Sequence, residues 1–273
     1  MPLFGSSVAT PSFLPDADAR AFVLDGFTEL APRLGGPARM PHLLGDPSAL
    51  LGRGARGPND LDSLFDMVCA IQEVIGQREV ELTLLEIDER RPAPLPEKGL
   101  VHLGDPGGKL LHPLRDSSAS GHEYLVLYTP AAFRVRELML AGIARALGHI
   151  ALDRAGVAPD PEALDQWDAD AELAAVLLGM GVWVANGSYK FENACCGGGC
   201  GIDLRSIRSG LSMPEACFAL AVDGQRKGLR RRAVGKQLEP TQRAALEQSW
   251  KLASEVPASL ALTGGAEPRA LAR

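Results

Sequence analysis

Apolar residues at Leu61, Leu64, Phe65, Val68, Ile71 and Ile75 recur with the spacing of one helical face, and Asn59-Asp60 just ahead supply a polar start. The pattern predicts an amphipathic helix that Gly76 ends. Residues 80–87, Val-Glu-Leu-Thr-Leu-Leu-Glu-Ile, read as a strand, and the prolines at Pro92, Pro94 and Pro96 stop its extension. Residues 99–112 predict a hairpin, with strands at 100–103 and 109–112 about the turn Asp105-Pro106-Gly107-Gly108. Another strand is expected over 123–128. Thr129-Pro130, a capping residue followed by a proline, then predicts a long helix over residues 131–152. The next helix, over 165–185, is almost entirely apolar after Glu172 and so should be buried on most sides, with Gly179 and Gly181 allowing close packing. Further helices are expected over 213–222 and 240–254.

This order predicts an α+β fold: a helix-rich domain with a small β-sheet, then a long helix and a helical C-terminal half. We read 61–256 as that single domain. Residues 1–60, rich in Pro, Gly, Ala and Leu with a helical patch at 18–30, read as a segment wrapping it, and 257–273 as a flexible tail. A chain of 273 residues buries an ample core without staples, and 46% hydrophobic with 23% charged residues is ordinary globular usage. No repeat of a solenoid or propeller is visible. A net charge of -6 argues against the broad basic surface of a non-specific nucleic-acid binder. The longest apolar run, 173–185, is short of the roughly 20 residues a membrane span needs. The start, Met1-Pro2-Leu3-Phe4-Gly5, lacks the basic and apolar regions of an export signal, so a cytoplasmic location is expected. Five cysteines in such a chain favour reduced thiols or a metal over a disulfide framework.

The long helix carries Arg145-Ala146-Leu147-Gly148-His149 and the next carries Asp168-Ala169-Asp170-Ala171-Glu172, so that helical i, i+4 spacing puts Asp168 and Glu172 on one face. In its order of elements and in these two strings the chain resembles the zinc-dependent peptidases of the gluzincin type. Residues 173–186 and Gly210-Leu211-Ser212 leading into 216–222 also resemble a group of uncharacterised bacterial zincin-like proteins; the likeness covers 61–254. In that family HExxH places two imidazoles on zinc with the glutamate as base, and ExxxD adds a carboxylate ligand and a second carboxylate that orients an imidazole. Here only the last histidine of the first motif survives, and the two carboxylates are exchanged in size.

The departures have a chemical consequence. Arg145 is a permanent cation with no electron pair to give, so it cannot ligate zinc. Ala146 cannot take a proton from water. The resemblance thus implies a catalytically inactive, zincin-like scaffold, a pseudo-metallopeptidase needing no cofactor, that works as a binding or regulatory protein whose partner is another protein. Arg145 would then pair with Asp168 or Glu172 in a buried salt bridge bordered by His149. Beside it stands a metal-dependent hydrolase that uses His149, Asp168 and Glu172 with a ligand from elsewhere, His102, His112 and His122 being the candidates. The plainest alternative is a packed histidine next to acids that favour a helix start.

Two other strings carry chemistry. Cys195-Cys196-Gly197-Gly198-Gly199-Cys200 puts three thiols on a glycine loop that could converge on a soft metal, with Cys217 as a fourth ligand, or serve thiol redox chemistry. The spacing is not that of paired zinc knuckles, and the loop lacks the Gly-Lys-Ser or Gly-Lys-Thr ending of a phosphate-binding loop. Arg226, Lys227, Arg230, Arg231, Arg232 and Lys236 form a basic cluster in an acidic chain, either a binding surface for anions or a solvated helix end. No aromatics interleave with these charges, as single-stranded nucleic acid would require. Gly-x-Ser-x-Gly is absent, and Ser188, Ser206, Ser209 and Ser212 have no recognisable base nearby in sequence.

Overall fold

In a computed structural model the described residues are 13–34, 44–52, 57–87, 99–105, 110–117, 123–157, 164–189 and 209–256. They form an α+β fold in which helices dominate and one four-stranded mixed sheet covers part of the core. The helices are α1 (Ala17–Arg33), α2 (Ser48–Leu51), α3 (Leu61–Val74), α4 (Arg136–Arg154), α5 (Leu164–Ala175), α6 (Gly181–Gly187), α7 (Met213–Arg226), α8 (Arg231–Gly235) and α9 (Pro240–Ala253). The strands are β1 (Glu81–Glu86), β2 (Leu100–His102), β3 (Leu111–Asp116) and β4 (Glu123–Tyr128), in the order β1-β4-β3-β2. β1 runs parallel to β4, whereas β4–β3 and β3–β2 are antiparallel.

Local chemistry accounts for most of these boundaries. Asp60 caps α3, its Oδ1 accepting from the Ser63 amide at 2.8 Å while the Ser63 hydroxyl returns to the Asp60 amide. The α3 face formed by Leu64, Met67, Val68 and Ile71 is buried, while Leu61 and Phe65 of the predicted stripe stay exposed. Ser212 and Glu215 make the same kind of reciprocal cap at the start of α7. The hairpin is present, but its second strand starts at Leu111 rather than at 109 and continues to Asp116, because β3 lies inside the sheet and is paired on both edges. β2 ends at His102 where the next partner is Pro113. The Pro113 carbonyl accepts from Leu103 N at 3.1 Å, but proline has no N–H to return.

Two predicted helices are broken where backbone constraints outweigh the sequence pattern. Pro130 starts a 3₁₀ turn, Pro130–Arg134, and α4 begins only after Val135, which is extended at φ -128° and ψ 94°. Phe133 holds that turn edge-on against Tyr128 at the end of β4, with ring centroids 5.8 Å apart. The apolar helix predicted over 165–185 divides into α5, a π-helical turn Val176–Met180, and α6, because Gly179 sits at φ +92°. Its carbonyl is taken by the Leu44 amide at 2.8 Å, so the break leaves that group satisfied.

α4 is the central element: every residue from Leu138 to Leu152 is buried, with β3, α5 and α6 packed around it. Gly142 lies so close to β3 that a Cβ there would meet Leu111 Cδ1 at 2.8 Å. Among the described part of residues 1–60, α1 sends Val23, Phe27, Leu30 and Ala31 into the same core and packs on α5 and α7. Among the described residues no helix is long and apolar enough to cross a membrane. The tail 257–273 and the glycine–cysteine loop, including Cys195, Cys196 and Cys200, lie outside the described residues, as does His122.

Candidate functional site

The buried polar residues of α4 and α5 meet as a ladder of two rungs. Arg145 Nε donates to Glu172 Oε1 at 2.7 Å, and His149 Nε2 lies 2.9 Å from Asp168 Oδ1. One turn forward on α4 therefore corresponds to one turn back on α5, the relation that antiparallel neighbours require. Of the two acids the sequence offers to Arg145, it is Glu172 that pairs with the guanidinium, and Asp168 is held by the imidazole. With the carboxylate ionised, the ring N–H is the donor in the second rung.

Close approach between the helices sets this geometry. Gly148 sits between the rungs, and a Cβ built on it would be 2.0 Å from the carbonyl oxygen of Ala171. Aspartate is short, so His149 and Asp168 touch directly only because the two backbones come this near. Gly148→Ala would raise helix propensity by about 1 kcal/mol in an open helix. Here the methyl group pushes two packed backbones apart by more than an ångström, so we expect a net loss of about 1–3 kcal/mol. Urea unfolding of the variant checks this, and a gain in stability would mean that the crossing is looser than described.

Both rungs are sealed from solvent. His149 is 1% exposed, Asp168 3% and Glu172 2%. Gly104, just past β2 and at φ +103°, lies over the second rung: a Cβ there would meet Asp168 Oδ1 and His149 Nε2, each at 2.7 Å. Behind the imidazole stands Trp167, its ring centroid 5.9 Å away. The second oxygen of Glu172 accepts from the Leu211 amide at 2.7 Å, which ties the entry to α7 onto the ladder. Gly210 lies against the α5 backbone, where a Cβ would be 2.4 Å from the Asp168 carbonyl carbon. These glycine contacts are what the sequence does not announce. Gly104 and Gly210 look like ordinary loop residues until the chain is folded.

The remaining candidates are placed as follows. Ala146 is buried in the core and offers no polar group. Asp170 is half-buried toward α1, and burial, then the charge of Glu29, pushes its carboxyl up to about 6, so it stands apart from the ladder. His102 Nδ1 and His112 Nε2 are 2.8 Å apart on β2 and β3, joined to each other. Cys217, considered as a metal ligand, is enclosed between α7 and α9, where its thiol faces the Gln242 carbonyl at 3.6 Å and burial pushes its pKa up to about 12. Arg226, taken from sequence as part of a basic binding surface, is instead turned inward. It donates through Nη2 to the fully buried Asp223 at 2.5 Å, and Lys227 reaches the other oxygen of that carboxylate at 2.8 Å. Arg230, Arg231 and Arg232 are exposed.

Zinc does not fit the ladder. His149 and Asp168 direct their donor atoms at each other, Arg145 is a cation at the third position, and Gly104 leaves no open side for water or substrate, which a catalytic zinc needs. Among the described residues no group of three His, Cys, Asp or Glu side chains converges as a metal site. No family model matches the chain, no curated protein matches its sequence, and no solved structure matches its fold.

Proposed function

We propose that this protein is a zincin-like scaffold without a catalytic centre, a pseudo-metallopeptidase that acts as a binding or regulatory protein through contacts with another protein. The observation that carries the reading is the buried ladder itself. Arg145 and His149 occupy the positions of the two imidazoles in HExxH, Asp168 and Glu172 those of the two carboxylates in ExxxD, and all four are brought together. In the intact motif the second carboxylate orients an imidazole. Glu172 keeps that relation toward Arg145, so the outer contact of the motif persists while the ligand it served is a guanidinium. The sealed rungs hold a structural role, linking α4, α5 and the approach to α7, and among the described residues neither a third ligand nor the base that hydrolysis would need stands beside them.

Metal analysis of the purified protein tests this. We expect zinc well below one equivalent, and no change on His149→Ala. One tightly bound zinc that disappears with His149→Ala would overturn the reading and favour an active hydrolase. The paired substitution Arg145→His with Ala146→Glu restores both lost groups, and zinc uptake by that variant is the expected gain. A folded double variant that takes up none would count against the peptidase ancestry.

A further inference from the structure

The basic residues of the C-terminal third fall into two sets. Arg226 and Lys227 neutralise Asp223 in the interior, whereas Arg230, Arg231, Arg232 and Lys236 are exposed and have no acidic partner among the described residues. Helical spacing puts Arg232 and Lys236 one turn apart, next to Arg231. Together with Arg243 of α9 these three border a groove of about 370 Å³ between α8 and α9. Arg243 is fixed in place. Its Nε donates to the Gly235 carbonyl at 2.8 Å and its Nη2 to the Leu238 carbonyl at 3.0 Å, so the guanidinium caps the end of α8. Leu246 lies fully buried beneath the groove, and Glu247 is its one carboxylate.

We propose that this groove binds a small ligand carrying a diphosphate group. Four cations against one carboxylate leave an excess of positive charge that a single phosphate, at about -1.5 to -2, does not balance but two phosphates do. Arg231 and Arg232 keep their planar forks free to take phosphate oxygens in pairs, where lysine is a point charge, while Arg243 spends its Nε and Nη2 on the Gly235 and Leu238 carbonyls and adds its charge. A volume of about 370 Å³ is that of a small-molecule pocket rather than of a peptide or duplex track. No aromatic side chain among the described residues borders the groove, so there is no platform for stacking a base, and with Leu246 fully buried recognition falls on the diphosphate. Glu247 excludes a further anionic group and can accept from a ligand hydroxyl. The groove is formed by α8 and α9, the ladder by α4 and α5, and this inference is independent of the reading of the ladder.

Titration calorimetry of the full chain with inorganic pyrophosphate tests it, with sulfate and citrate at matched ionic strength as controls. One saturable site per chain is expected, selective for pyrophosphate and weakening as salt rises. Arg231→Gln with Arg232→Gln and Lys236→Gln should lower the affinity by about tenfold or more at an unchanged melting temperature, since these side chains are exposed and unpaired. The single change Lys236→Gln serves as a milder version should the triple variant fold poorly, and it too should weaken binding. Absence of saturable binding overturns the proposal. So does equal binding of sulfate and citrate, or pyrophosphate affinity unchanged in the variants. Binding of anionic phospholipid vesicles that free pyrophosphate does not displace would assign the groove to a lipid surface and overturn it as well.

Discussion

Arg145→Ala is expected to cost about 3–5 kcal/mol of folding stability, and Glu172→Ala about as much, because each leaves its partner's charge buried without the counter-charge that faces it. The side chains are 10% and 2% exposed, so water cannot replace the lost partner as it does for a surface pair. The size of the single effects does not mean that the ion pair is strongly stabilising in itself. Bringing both charges out of water offsets most of their attraction, and an apolar pair of similar volume does about as well. Arg145→Met with Glu172→Leu should therefore recover most of the loss. It should not recover all of it, since the Leu211 amide then loses the Glu172 oxygen, which costs about 1–3 kcal/mol for an unsatisfied buried donor. Urea midpoints of the two single variants and the double variant form the cycle that measures this. Single losses below about 1 kcal/mol would mean that the pair is solvated in solution and the ladder is not the closed unit described here.

The ladder was legible in the sequence to the extent that spacing alone determines it. Helical i, i+4 spacing puts Arg145 over His149 and Asp168 over Glu172, whatever the packing. Which base meets which acid depends on the antiparallel crossing of α4 and α5, and the crossing depends on Gly148, whose meaning is invisible without its neighbour Ala171. The same limit explains the fold. α3 is readable as an element with its start because one face is polar and the other largely apolar, although Leu61 and Phe65 of the stripe stay exposed and Met67 outside it is buried. The stretch after Glu172 is apolar all round, has no period to interrupt, and so concealed the break at Gly179. Strands β1 and β4 were found as segments, but their parallel pairing is a long-range choice that neither segment encodes. For Arg226 and Lys227 a signal did exist: Asp223 stands three and four residues before them, the spacing of helical ion pairs, and it separates them from the exposed arginines that follow.

That internal cluster sets the second large effect, a loss of about 3–5 kcal/mol for Asp223→Ala. Asp223 is 0% exposed and is the carboxylate shared by Arg226 and Lys227, while Lys227 also donates to the Leu177 carbonyl at 3.1 Å in the π-helical turn. Removing the carboxylate leaves two largely buried cations without it, and the two can respond differently. Arginine keeps its proton, so Arg226 stays charged. Lysine can release one, and Lys227 is already predisposed to do so: burial lowers its pKa from 10.5 while Asp223 opposes the shift. Without Asp223 that opposition is gone and the folded-state value falls further. Between the folded value and the unfolded one the unfolded chain binds more protons, so stability rises with pH across that interval. The variant should accordingly gain stability between neutral pH and about pH 10 more steeply than the parent protein, approaching it as Lys227 becomes neutral. Urea midpoints recorded for both proteins across that range decide the matter. Parallel profiles would mean that Lys227 leaves the interior when Asp223 is removed, and that the charge cluster does not hold α7 against the π-helical turn.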